Sequence, residues 1–81
     1  MKNIIIKNND NPPKVVIINQ IEDIDTALEQ LKENMSIIVN ASNVNKREGL
    51  RMIDFLSGYC YACNGIYKKI DEMIYKFEIK R

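Results

Sequence analysis

Eighty-one residues make one small domain. At this size folding hides only roughly 60% of the unfolded chain's surface, so self-association is a common source of added stability. Hydrophobic residues make up 46% and charged residues 28%, a globular balance that excludes a disordered chain, and a net charge of +1 is too small to draw nucleic acid or acidic membranes from a distance.

The inventory also restricts the chemistry. There is no His, so the usual general base near neutral pH and the commonest metal ligand are both missing. Two Cys supply half of a tetrahedral zinc site, and three scattered Gly make no phosphate-cradling loop. These counts argue against an enzyme and imply neither metal nor cofactor. The longest aliphatic runs, at residues 4–6, 15–18 and 37–39, fall far short of the ~20 residues that span a bilayer. A cytoplasmic protein with reduced thiols is expected.

In chain order, Lys7-Asn8-Asn9-Asp10-Asn11-Pro12-Pro13-Lys14 is the one clear breaker segment. It sets off residues 1–13 as an N-terminal extension, mobile or an edge strand, from a compact domain at 14–81. Val15-Val16-Ile17-Ile18 is β-branched and apolar at every position, the pattern of a strand covered on both faces or at least well packed. Ile21, Ile24, Leu28, Leu31 and Met35 then recur every three or four residues, opposite Glu22, Asp25, Glu29, Lys32 and Glu33. This is an amphipathic helix with Asp23 as candidate N-cap and Asn34 as its stop. Ser36-Ile37-Ile38-Val39-Asn40 repeats the first strand's character, so the three elements form a βαβ unit with parallel strands.

Asn43 or Asn45 can cap a second helix over residues 46–62. At ~100° per residue, Leu50, Ile53, Leu56, Ser57 and Cys60 share one side, and Met52, Phe55, Tyr59 and Ala62 cover the next. That apolar arc is wider than the ~100° one sheet face requires, so one side is expected in the core and another against a partner. Arg47, Arg51, Asp54 and Gly58 form the narrow remaining stripe, in which Arg51 and Asp54 are spaced to pair. Cys60-Tyr61-Ala62-Cys63 lies at the C-terminal end of this helix, where the dipole has the wrong sign for a redox thiol, and reads as two packed thiols.

Asn64-Gly65 ends the helix with a left-handed turn. Two antiparallel strands follow around Asp71-Glu72, and in the second Tyr75, Phe77 and Ile79 alternate with Lys76, Glu78 and Lys80, one face buried and one wet. The expected fold is an α/β (α+β) two-layer sandwich of order βαβαββ, with both helices on one face of a mixed sheet. Tyr67 and Tyr75 beside Lys68 and Lys69 form a weak aromatic and basic platform. A peptide with an acidic group suits this hairpin better than RNA at so low a net charge. Residues alone leave open a small βαβαββ module binding another protein partner or single-stranded RNA.

Arg51-Met52-Ile53-Asp54-Phe55-Leu56-Ser57-Gly58, followed by Tyr61-Ala62 and Gly65, resembles the signature of the SepF cell-division proteins. Val15-Val16-Ile17-Ile18 and Ile37-Ile38-Val39-Asn40 resemble that family's first two strands, so the likeness covers about residues 14–79. The resemblance implies a non-enzymatic cytoplasmic scaffold recruited to the division site, which forms a homodimer, can assemble further, and binds the C-terminal peptide of FtsZ to crosslink Z-ring protofilaments. Family positions implicated in tail binding fall on Gly49, Lys69 and Tyr75. Phe55, Gly58 and Tyr59 are the candidate oligomerisation residues; a glycine inside a helix costs ~1 kcal/mol relative to Ala, which close packing would explain. The amphipathic N-terminal helix and acidic linker usual in the family are not recognisable in this sequence, so no direct membrane binding is expected of it.

Overall fold

The computed structural model describes residues 13–79. The order is β1 (Lys14–Ile17), α1 (Asp23–Asn34), β2 (Ser36–Asn40), α2 (Lys46–Ala62), β3 (Ile66–Asp71) and β4 (Ile74–Glu78). The expected βαβαββ order and mixed sheet are both found. The N-terminal extension lies outside the described residues except for Pro13, as does Lys80 at the end of the last expected strand.

The sheet runs β1-β2-β4-β3. β1 and β2 are parallel, joined through α1, while β4 is antiparallel to both β2 and β3. The hairpin therefore enters the sheet by its second strand. α1 packs on β1 and β2, and α2 on β3 and β4. Alternate residues Val16, Ile37, Val39 and Phe77 join Ala27 and Leu31 of α1 and Met52, Ile53, Leu56 and Cys60 of α2 in one cluster. Strand side chains alternate between faces, so membership of one cluster places both helices on the same face of the sheet.

Among the described residues the opposite face carries no helix. Val15, Ile38, Lys76 and Lys68 form a row across it, each directly beside the next. Val15 is 58% exposed and Ile17 is 52% exposed. Among the described residues the first strand is therefore well packed on one face and not covered on the other: Val16 and Ile18 are buried, and the alternate pair is bare.

Local chemistry places the ends of the elements. Asp23 does not cap α1; its carboxylate accepts hydrogen bonds from the Asn19 and Gln20 backbone N–H groups at 2.8 and 3.2 Å, which closes the loop before the helix. α1 stops at Asn34 as expected, with Met35 left-handed at φ 65° and its N–H donating to the Leu31 carbonyl. Asn45 caps α2 by accepting from the Glu48 N–H at 2.9 Å, and Asn43 instead donates to the Asn19 side chain at 2.8 Å. Asn64 supplies the left-handed turn after α2, at φ 61°. Gly65 has no positive φ and is needed for space, because a methyl group there would meet the Glu78 carbonyl and Cys60.

Candidate partner-binding site

Lys69 and Tyr75 are cross-strand partners in the hairpin. They share the helix-side face with Tyr67 and Phe77, by alternation along each strand. The Tyr67 ring lies 6.4 Å from that of Tyr75 and 5.9 Å from that of Phe77, and Tyr75 and Phe77 are 6.4 Å apart. Rings at these separations attract beyond their buried area. Phe77 is fully buried and anchors the group, Tyr75 is half-buried, and Lys69 is exposed. An ammonium group thus stands beside a half-covered aromatic surface, a combination suited to a carboxylate next to an apolar side chain.

Gly49 occupies a different setting from the one its expected role suggests. It is buried in the first turns of α2, and a Cβ there would meet the end of Met73, the Ala41 carbonyl and the Val44 side chain. Its small size serves contact with its own chain. Met73 lies two residues before Tyr75, so Gly49 sets the hairpin's turn end against α2. The Ala41 N–H donating to the Met73 carbonyl at 2.9 Å and the Lys46–Glu72 ion pair at 3.7 Å tie the same corner. Gly49, Lys69 and Tyr75 therefore belong to one region, two as surface and one as packing.

The three oligomerisation candidates lie together on α2. Phe55 is 54% exposed, Gly58 is exposed with no neighbouring atom within 4 Å of an added Cβ, and Tyr59 is half-buried against the core. Phe55 also lines a groove of about 390 Å³ between the helices, walled by Ile21, Ile24, Leu28 and Met52 and rimmed by Asp25, Glu48 and Arg51. The expected helical wheel needs one correction. Leu50 is on the outer surface, and the buried side centres on Gly49, Met52, Ile53, Leu56 and Cys60. No ion pair joins Arg51 to Asp54 among the described residues.

Cys60 and Cys63 are free thiols, one buried and one half-buried. Burial pushes the Cys60 thiol above its ordinary range, and its Sγ lies 3.2 Å from the Ile66 carbonyl oxygen and 3.4 Å from that of Glu78. The Tyr59 hydroxyl is also raised, chiefly by a hydrogen bond with the Cys63 side chain. Both shifts favour the protonated, unreactive form. No described helix is long and apolar enough to cross a membrane.

Residues 14–77 match the family model of the cell division protein SepF. The chain belongs to the SepF family. It is similar to the cell division protein SepF of a Thermoanaerobacter species, with 38% identity over 64 residues, covering 76% of this chain and 47% of that protein. The likeness to SepF 2 of Desulforamulus reducens is 38% over 55 residues, covering 68% of this chain and 34% of the relative. For SepF of Clostridium tetani it is 32% over 65 residues, covering 78% and 42%. The chain thus spans half or less of the length of these relatives. The family assignment covers both helices and all four strands.

The interhelical groove is not expected from the sequence, whereas a helix-free sheet face follows from the expected two-layer order. The groove's signal was present in Ile21, Ile24 and Phe55, apolar residues more numerous than two helices need to cover one sheet.

Proposed function

We propose that this domain is a non-enzymatic scaffold of the division ring that binds the C-terminal tail of FtsZ at the hairpin and self-associates through α2. The carrying observation is the cross-strand pair Lys69 and Tyr75, an exposed amine beside a half-buried ring in a chain of the SepF family. Lys69 meets a carboxylate of the tail, and Tyr75 with Tyr67 gives an apolar wall. Gly49 acts through Met73 by holding the hairpin in place.

The open flank of α2 supports the second half of the reading. Phe55 and Gly58 present an aromatic knob beside a gap, and the groove between the helices has room for a large side chain. A second copy covering this surface removes apolar area from water, and linking two tail sites lets one scaffold bridge two protofilaments.

The test is a titration of the domain with a synthetic FtsZ C-terminal peptide, beside Lys69→Glu and Tyr75→Ala, each checked for folding by circular dichroism. Saturable binding by the wild type, weakened at least tenfold by Lys69→Glu, is the expected result. Equal binding by folded Lys69→Glu, or none by the folded wild type, removes the tail from the proposal. Sedimentation across a dilution series tests self-association, and a monomer at every concentration refutes it.

A further inference from the structure

β3 is the outermost strand on the hairpin side of the sheet. It pairs with β4 along one edge, and among the described residues no strand pairs with the other. A free edge presents a row of unpaired backbone donors and acceptors, a template for another extended chain. All six residues of β3 are exposed. Ile66, Tyr67 and Ile70 are each more than half exposed, an apolar load that edge protection alone does not call for.

Its charges select the occupant. Lys68 and Lys69 are adjacent at the strand's centre, so one ammonium stands on each face. Lys68 is also directly opposite Lys76, a like-charge cross-strand pair of the kind that destabilises a sheet. None of these three lysines forms an ion pair among the described residues. A second copy's β3, laid antiparallel about the same centre, would set lysine against lysine. The edge therefore repels its own kind and favours a strand carrying carboxylates at its centre and apolar residues on either side.

We infer that the free edge of β3 docks an extended acidic segment of a partner protein by strand addition. Backbone hydrogen bonds hold it, Lys68 and Lys69 read its carboxylates from opposite faces, and Ile66, Tyr67 and Ile70 cover its apolar side chains. The site goes beyond the tail-binding proposal, because Lys68 and Ile66 lie on the face opposite Tyr75.

The probe is the acetylated, amidated peptide Val-Thr-Val-Glu-Glu-Val-Thr-Val, titrated into the isotope-labelled chain while backbone amide signals are followed. A second peptide carries Lys-Lys at its centre. A third is N-methylated at every residue, which blocks both edges of the peptide. Saturable shifts along β3 are expected, with affinity at least tenfold weaker for the Lys-Lys peptide and for Lys68→Glu, which should in turn gain affinity for the Lys-Lys peptide. The N-methylated peptide should lose binding, since strand addition needs the peptide's backbone N–H donors. No saturable binding, indifference to charge, or undiminished binding of the N-methylated peptide overturns the inference. Tyr75→Ala reads tail binding and Lys68→Glu reads strand addition, whereas Lys69 is common to both sites, so failure of either proposal is distinguishable from failure of the other.

Discussion

The same substitution, Gly→Ala, should change stability in opposite directions at Gly65 and Gly58. At Gly65 the new methyl meets the Glu78 carbonyl oxygen, with Cys60 Sγ at 2.6 Å and the Cys60 carbonyl oxygen at 2.9 Å. Two of the three are backbone atoms, one at the end of β4 and one at the end of α2, where it already accepts from the Gly65 N–H at 2.8 Å. Neither swings away as a flexible side chain can. Overpacking of this kind costs ~1–3 kcal/mol, and the top of that range applies where backbone must shift. Removing a glycine from the unfolded chain returns ~0.4–1 kcal/mol. The net is about 2 kcal/mol of destabilisation, or a fall in Tm of roughly 8–16 °C for a domain this small. Gly58 sits inside α2 with open space around it, so alanine there should gain ~1 kcal/mol and raise Tm by roughly 4–8 °C. Thermal and urea unfolding of both variants, at concentrations below any assembly, gives the comparison. A loss at Gly58, or no loss at Gly65, refutes the packing argument. If a partner helix closes on Gly58, its alanine variant will also associate more weakly while each copy becomes more stable.

Phe77→Ala should cost ~3–5 kcal/mol, because the ring is fully buried and stacked on Tyr67 and Tyr75; loss of the cooperative thermal transition is the readout. Asn45→Ala should cost ~1 kcal/mol, measured by urea unfolding, since the Asn45 side chain accepts from the Glu48 N–H. A thiol-alkylating reagent should modify Cys63 well before buried Cys60 in the native protein, with mass spectrometry showing equal labelling only in denaturant. The folded Cys60 pKa lies above its unfolded value, so its contribution to stability is complete below the ordinary thiol range of about 8.5. That contribution is lost as pH rises through the folded value. Cys60→Ala should flatten this alkaline loss in urea titrations repeated across pH.

Periodicity made most of the fold legible. The i, i+3, i+4 spacing of Ile24, Leu28 and Leu31 marks α1, and the alternation of Tyr75 and Phe77 with Lys76 and Glu78 marks β4. What local pattern does not encode is the distant neighbour. Val15 and Ile17 have the composition of a covered strand, yet the described residues supply no layer for their side of the sheet. Gly65 reads as a turn glycine until Glu78 and Cys60 are seen to crowd it. The candidate site turned on register. A two-residue turn at Asp71-Glu72 would set Tyr75 opposite Lys68. Instead β3 continues to Asp71, and the irregularity between Lys69 and Asp71 brings Lys69 opposite Tyr75. Gly49, named through the family likeness, lies against the hairpin's turn end, and nothing local in the sequence indicates that Met73 fills the space beside it.

The position of β4 also governs when the fold can close. β1, α1 and β2 are contiguous in sequence and are synthesised first, but β2 acquires its second neighbour only from residues 74–78. Phe77, the largest fully buried side chain, arrives with the same strand. During synthesis at ~5–20 residues per second, the chain past β2 therefore spends seconds with one edge of that strand unpaired and its core unplugged. For that interval the vulnerable edge is β2, an Ile-Ile-Val strand at the centre of the finished sheet. Completion is one late docking event, so a variant that slows hairpin formation should lower the yield of soluble protein even where the finished domain is just as stable.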